Sequence, residues 1–397
     1  MDFENTSILV LNGGSSSIRF SFYNSENTTI RKLNGKIERI GLTNTRLIVQ
    51  HTATSEELTQ TIKESDYKSV VKFLINFLEE TEEFKKIVAV GHRIVHGMNH
   101  AAPEIITKEL LEELHRMSPY DSEHLIGELA LIEAFKERHS SLPQIACFDT
   151  AFHQTMPEVA RLLPIPRHFY KKGIRRYGFH GLSYNYLLEE LTKLSEAEAT
   201  QGKLIFAHLG NGASLAAIKQ GKSIDTSMSF TPASGILMSS RSGDIDPGII
   251  LYLIKNEHLT PEEFSHMIHH ESGIMGISET SSDMHDLLTL EASDTRASDA
   301  INKFCYEVKK NIGAYAAILG GLDTLVFAGG IGENAPEVRK RICEGLEFLG
   351  ITLDDGRNKK NEAIISTEKS LIKVRIIRTD EESMIAKMSS RLLKKNA

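Results

Sequence analysis

Two short glycine-containing loops, each held between strand-like runs, constrain this chain more than any other feature. The first is Asn12-Gly13-Gly14-Ser15-Ser16-Ser17, with Ser7 to Leu11 before it and Ile18 to Tyr23 after it. Two β-prone runs joined by a short loop of this composition predict a hairpin. The loop offers a row of backbone N–H groups and three hydroxyls, with no Cβ at two positions. Such a surface suits phosphate oxygens, although a polar hairpin tip reads equally well from this segment alone. The second copy is Gly210-Asn211-Gly212-Ala213-Ser214, between Leu204 to Leu209 and Leu215 to Ile218, and Gly221 marks the next turn. Strand, loop and strand therefore recur about half a chain apart.

A phosphate hairpin in each half resembles the plan of the superfamily that contains hexokinase, actin and the large heat-shock ATPases. The fold class that follows is α/β, a two-domain duplicated fold of the hexokinase/actin type. That resemblance implies an active-site cleft between the domains, with one loop on each side of ATP. Fold alone does not set function. At 397 residues, the chain exceeds the roughly 250–300 residues at which single cores stop growing. The expected division is 1–150 plus 382–397 as an N-terminal domain and 151–381 as a C-terminal domain, with a terminal helix over Glu381 to Leu393 returning to the first.

Composition excludes several classes of partner. A net charge of −7 and the lack of a dense basic stretch argue against nucleic acid. The most apolar window, Ala314 to Ile331, is broken by Gly320, Gly321 and Asp323 and reads as a helix end, a turn and a buried strand, not a membrane span. Met1 to Asn5 is acidic and polar, unlike a signal peptide. Cys147, Cys305 and Cys343 are widely spaced and form no metal or redox motif, as expected of reduced thiols in a cytoplasmic protein.

Helical periodicity is clearest at Lys68 to Glu79, Lys108 to Met117, Glu123 to Glu137, Tyr184 to Leu194, Pro261 to His270, Ala297 to Leu319 and Glu337 to Leu349. Further strand-like runs are Ile87 to Val90, Ile145 to Phe148, Thr324 to Ala328 and Leu371 to Ile377. The alternation points to α/β architecture. Other nucleotide motifs fail. Gly221-Lys222-Ser223 lacks the earlier glycine of a P-loop, since that position is Ala216. Gly210-Asn211-Gly212 lacks the third glycine of a dinucleotide fingerprint. His92 and His96 stand at i and i+4 but without the glutamate of a zinc helix, and His266, His269 and His270 suit a solvated face.

A set of specific strings identifies the chain as a member of the acetate/propionate kinase family. They are Leu11 to Ser17, Gly91-His92-Arg93-Ile94-Val95-His96-Gly97, Phe148-Asp149-Thr150-Ala151-Phe152-His153, Arg176-Tyr177-Gly178-Phe179-His180-Gly181 and His208 to Ser214. Asp225-Thr226-Ser227-Met228, Phe230-Thr231-Pro232, Arg241-Ser242-Gly243-Asp244, Gly329-Gly330-Ile331-Gly332-Glu333-Asn334 and Asp380-Glu381-Glu382 follow in order. The resemblance implies reversible transfer of the ATP γ-phosphoryl to acetate, giving acetyl phosphate and ADP. Propionate or another short-chain acid is the alternative substrate, and a catalytically weak nucleotide-binding regulator is a more distant reading. It also implies a homodimer formed through the second domain.

The chemistry explains these residue types. A carboxylate with pKa of about 4–4.5 is already ionised at neutral pH, so it needs no general base, only alignment and relief of charge repulsion. By resemblance Arg93 and Arg241 hold the acyl substrate and the migrating phosphoryl, for which forked guanidinium donors are suited. His180 corresponds to a histidine that hydrogen-bonds the transferring group, and Asp149 to a carboxylate orienting metal or substrate. Asn12 and Glu381 correspond to the pair that holds Mg²⁺ (or Mn²⁺), largely through water. Ser15, Ser16, Ser17, Arg19, His208, Leu209, Gly210, Asn211 and Gly212 are the expected phosphate-side contacts. Gly330, Ile331, Gly332, Glu333 and Asn334, expected as a strand-to-helix turn, would accept the adenosine. Val95, Pro119, Tyr120, Phe179 and Pro232 would line the acyl pocket.

The chain departs from the family at three places. The family P-L-H-N-P is Ser118-Pro119-Tyr120-Asp121-Ser122, so Tyr120 stands for a histidine and Pro119 for a leucine. Arg19 replaces the usual lysine, and Thr231-Pro232-Ala233-Ser234-Gly235 loses a carboxylate. A small pocket separates chain lengths by only about 1–3 kcal/mol per methylene, which leaves acetate and propionate both open here.

Overall fold

A computed structural model of the protein describes residues 6–14, 16–52, 56–121 and 124–396; Ser15 and the side chain of Pro119 lie outside the described residues. The chain forms two compact units, one running to Ala151 and resuming at Asp380, the other Phe152–Thr379.

The first unit is built on an eight-stranded sheet. Its strands are β1 (Ser7–Gly13), β2 (Ser17–Asn24), β3 (Arg31–Glu38), β4 (Arg46–His51), β5 (Glu57–Thr61), β6 (Ile87–Ile94), β7 (Glu104–Ile105) and β8 (Gln144–Phe148), in the order β5-β4-β3-β2-β1-β6-β8-β7. Central β1 is buried along almost its whole length, whereas edge strand β5 is exposed throughout, as expected of strands covered on two faces and on none. Helix α1 (Tyr67–Glu79) starts at Asp66, whose side chain accepts from the Ser69 N–H at 3.0 Å, a standard N-cap. Its inward stripe of Val70, Val71, Leu74, Ile75 and Leu78 joins Leu9, Leu11, Phe20 and Phe22 in one core. Each such side chain contributes about 1.5–3 kcal/mol by leaving water.

Helices α2 (Lys108–Met117) and α3 (Leu125–Arg138) pack with Ile94, Ala146 and Phe148 in a second core. The C-terminal helix, Glu381–Asn396, lies against β1, β6, β2 and β8. Gly91 permits that approach, because a Cβ there would fall 2.6 Å from Ser389 Oγ.

The second unit has a five-stranded sheet: β9 (Lys203–Leu209), β10 (Ala213–Lys219), β11 (Lys222–Thr226), β12 (Thr324–Ala328) and β13 (Lys373–Ile376), ordered β11-β10-β9-β12-β13. Helices α4 (Gly181–Leu194), α5 (Glu196–Gln201), α6 (Pro247–Asn256), α7 (Thr295–Leu319), α8 (Gly329–Asn334) and α9 (Pro336–Cys343) accompany it. In β9–β10 Leu209 pairs antiparallel with Ala213 across the second loop; in β1–β2 Asn12 pairs with Arg19 and Gly13 with Ile18. Each hairpin's first strand then pairs in parallel with a later strand, β6 or β12. The five-strand arrangement β3-β2-β1-β6-β8 thus repeats as β11-β10-β9-β12-β13.

Some boundaries differ from the sequence expectation. β6 continues past Val90 to Ile94 and so carries Arg93. The Pro261 run is α-helical only to His266 and continues as a π turn, Met267–Glu271. The Glu337 run stops at Cys343, and Gly345 at φ +80° makes the turn before a short 3₁₀ segment. The Gly330–Asn334 string is itself a helical turn, not a loop ahead of one.

Candidate active-site residues

In the first unit the groups gather where β1, β6 and β8 end. Arg93 Nη2 donates to Asp149 Oδ2 at 2.6 Å, and Nη1 reaches Asn12 Oδ1 at 3.4 Å. Asp149 is fully buried, and its backbone N–H is held by Ile94 O at 2.9 Å. Burial works against the charge on Arg93, but Asp149, Glu381 and Glu128 outweigh it and hold the guanidinium firmly protonated. Half-buried Glu381, in the first turn of the C-terminal helix, has its pKa raised by burial and by Asp149, against the pull of Arg93 and Arg19. Asn12, Arg93, Asp149 and Glu381 therefore form one electrostatic group.

Arg19 stands opposite Asn12 across the hairpin and is exposed, as is Ser16; Ser17 O closes the tip by accepting from the Gly14 N–H at 2.8 Å. Val95 is buried immediately after β6. The Tyr120 ring lies 5.9 Å from that of His96 and packs on the core containing Ile94 and Phe148. His92 bonds to Gln144 Oε1 at 2.7 Å, and burial pushes its pKa down to about 4. It is a neutral core histidine.

In the second unit the groups gather around the β9–β10 loop. A Cβ on Gly212 would stand 3.1 Å from His180 Nε2 and 3.7 Å from Arg241 Nη1. The bare backbone of Gly212 thus leaves room beside an imidazole and a guanidinium. His180 caps α4 in a left-handed conformation at φ 58°. Such a conformation costs a non-glycine residue about 1–2 kcal/mol. It is held by Nδ1···Ser214 Oγ at 2.9 Å and by stacking on His208, with ring centroids 4.3 Å apart. His208 in turn contacts Ser183 Oγ through Nδ1 at 2.8 Å. Arg241 Nη1 donates to Pro232 O at 3.1 Å, placing Pro232 beside the same guanidinium. Asn211 O accepts from the Ser239 N–H at 3.2 Å. Phe179 is buried, and its carbonyl meets His153 Nε2 at 3.0 Å.

The Gly330 string adjoins this loop: the Gly330 N lies 3.7 Å from where a Gly210 Cβ would stand, and Gly329 at φ +76° passes against Leu209 O. Glu333 Oε1 accepts from the N–H groups of Gly329 and Thr379 at 2.8 and 3.0 Å, so its carboxylate holds this turn in place. Asn334 Nδ2 donates to Gly330 O at 3.0 Å.

Sequence reasoning missed Ser214, Ser183, Glu128 and Arg339. Arg339 is fully buried and donates to Gly332 O at 2.9 Å as well as to Asn358 and Asn361; burial lowers its pKa to about 10. Glu128 had a signal: it interrupts the apolar i, i+4, i+7 stripe of Leu125, Leu129 and Ile132 that α3 turns inward.

A duplicated α/β sheet with a glycine-containing hairpin loop in each unit, the second of them beside His180 and Arg241, defines a phosphotransferase of the hexokinase/actin class. The chain belongs to the acetokinase family, matching it over residues 7–387. It is 42% identical to an acetate kinase of Thermoanaerobacterium thermosaccharolyticum over 97% of this chain and 98% of that protein, and 40% identical to one of Bacillus subtilis over 98% and 99%. The crystal structure of the Porphyromonas gingivalis acetate kinase superposes with a TM-score of 0.88 at 34% identity, covering 98% of this chain and all of the other. A propionate kinase from Francisella tularensis gives 0.90 at 37% identity, covering 96% and 98%.

Proposed function

We propose that the protein transfers the γ-phosphoryl group of ATP to acetate, reversibly, giving acetyl phosphate and ADP. The observation that carries this reading is the convergence of His180, Arg241 and the bare backbone of Gly212. A hydrogen-bonding imidazole, a fixed cation and an unobstructed loop supply what a migrating phosphoryl needs, namely positioning and charge neutralisation. Arg93 serves the acyl carboxylate. It is buried and charged and faces an excess of carboxyl groups, and acetate, being ionised, needs no base. Val95 and Tyr120 in the first unit, and Phe179 and Pro232 in the second, are the residues this reading assigns to the acyl methyl. His208, Leu209, Gly210 and Asn211 take the phosphate side, with Ser16, Ser17 and Arg19 on the other hairpin. The Gly330–Asn334 turn takes the adenosine.

A divalent cation, Mg²⁺ or Mn²⁺, fits the oxygen donors of Asn12 and Glu381. The excess of carboxylates around one guanidinium favours a hard cation. Mg²⁺ keeps several waters and is shared with substrate phosphates, so one or two protein oxygens are enough to hold it. When bound, it would neutralise phosphate charge. A cytoplasmic setting is supported by three buried free cysteines. Among the described residues no helix is long and apolar enough to cross a membrane. A homodimer is supported by α6, an apolar helix with no buried residue.

Propionate is the second reading, favoured by the likeness to the Francisella tularensis propionate kinase. Trapping acyl phosphate as hydroxamate from ATP and a panel of C2–C4 acids tests both. Acetate should give the highest kcat/KM; a higher value for propionate would move the assignment to the second reading. Retained ATP binding with no acyl phosphate from any acid would overturn both.

A further inference from the structure

We propose that Glu128 is the specificity-determining positioning residue of the acyl site, fixing the Val95 backbone through its carboxyl group. The inference rests on the reading above that Val95 borders the acyl group. Glu128 is 2% exposed and projects from the first turn of α3. Its neighbours Leu125, Leu129 and Ile132 fill a hydrophobic core. A glutamate in such a place costs free energy unless its polar atoms are used. Both are: Oε1 and Oε2 accept from the Val95 N–H at 3.2 and 3.1 Å.

Val95 lies one residue past the end of β6, where pairing with β8 has stopped at Ile94. Its buried N–H therefore depends on a side chain for a partner, and Glu128 supplies one. Arg93 is two residues away on the same strand. Fixing Val95 thus fixes the wall of the acyl pocket relative to the guanidinium that takes the carboxylate. The same helix turn also supports the first hairpin. A Cβ on Gly13 would fall 2.7 Å from Leu131 Cδ1, with the Glu128 Cα 3.9 Å away.

The charged and titratable groups facing Glu128 are Arg93 from β6, Asp121 ahead of α3, Asp149 after β8 and Tyr67 from α1. Burial, with Asp121 and Asp149, raises the Glu128 pKa well above the ordinary range against the pull of Arg93 and the Val95 N–H.

The test compares kcat and KM for acetate, propionate and ATP in the wild type, Glu128→Leu, Glu128→Gln and Val95→Ala. Glu128→Leu strands the Val95 N–H and should raise the acetate KM about tenfold, equivalent to ~1.4 kcal/mol. It should also shift the acetate-to-propionate ratio of kcat/KM by about threefold or more, with the ATP KM inside about twofold. Glu128→Gln keeps an acceptor and should recover most of the loss. If Glu128→Leu fails to fold, Glu128→Asp, one methylene shorter, should shift the ratio in the same direction. An unchanged ratio, or equal changes for both acids and ATP, would overturn the proposal. Val95→Ala separates the two readings: if it leaves the ratio untouched, the acyl-site assignment fails, whereas a shifted ratio there with none at Glu128 sinks only the role of Glu128.

Discussion

Arg241 shows how far a single residue can be read from sequence. Its string put it, with Arg93, among the residues expected to hold the acyl substrate and the migrating phosphoryl, but nothing local revealed that its Nη1 would donate to Pro232 O at 3.1 Å and stand beside Gly212. Pre-positioned in this way, the guanidinium loses little on meeting the charge that develops during transfer. Its contribution should therefore fall on the transition state. Arg241→Ala is expected to lower kcat by at least ~100-fold, the loss typical of one preorganised electrostatic donor. Steady-state kinetics at saturating acetate and ATP would measure it, and a change confined to KM would show a ground-state binding role. His180 was singled out by its string as well, but its left-handed backbone and its support by Ser214 and His208 were not. These depend on residues 28 to 34 positions away and leave no local pattern.

Among elements, the strongest signals were the two hairpins and the long amphipathic helices. Lys108–Met117 and Thr324–Ala328 begin and end where periodicity and composition place them. The misjudged ends are those set by tertiary contact. β6 runs on to Ile94 because β8 pairs with it there. Short α5 is a case where partners on other strands fix a helix. Its Glu198 accepts from Arg375 Nε and Nη2 at 3.0 Å each, binds Lys373, and meets Thr324 Oγ1 at 3.2 Å. Burial opposes ionisation, yet Arg375 and Lys373 prevail and pull the Glu198 pKa down to about 2. A carboxyl whose folded pKa lies below its ordinary 4.5 binds fewer protons folded than unfolded. Its stabilisation is thus complete above that ordinary value and is lost as pH falls towards 2. Glu198→Gln should cost about 1–3 kcal/mol at neutral pH and far less near about pH 3. Urea unfolding at both pH values checks this, and an equal cost at the two would exclude the ion pairs as its source.

At the scale of the molecule, the sequence repeat foretold the duplicated sheet order, because each hairpin brings its own neighbours. The surface was less legible: a run such as Gly248-Ile249-Ile250-Leu251-Tyr252-Leu253 reads as core, yet none of the ten residues of α6 is buried within the chain. Ile249, Leu251 and Tyr252 are 46%, 59% and 57% exposed. A helix this apolar is normally covered, and contiguous exposed apolar surface marks an interaction site. Since the proposed partner is a second copy of the chain, the face should be self-complementary about a twofold axis. Leu251→Glu with Tyr252→Glu would set like charges opposite one another there and should convert a dimer to a monomer in light scattering. Because association stabilises the folded chain by mass action, the wild type should also melt at a temperature that rises with protein concentration, and the double variant should not. A wild-type protein that stays monomeric at high concentration would rule the interface out and leave the exposure of α6 to be explained by some other partner.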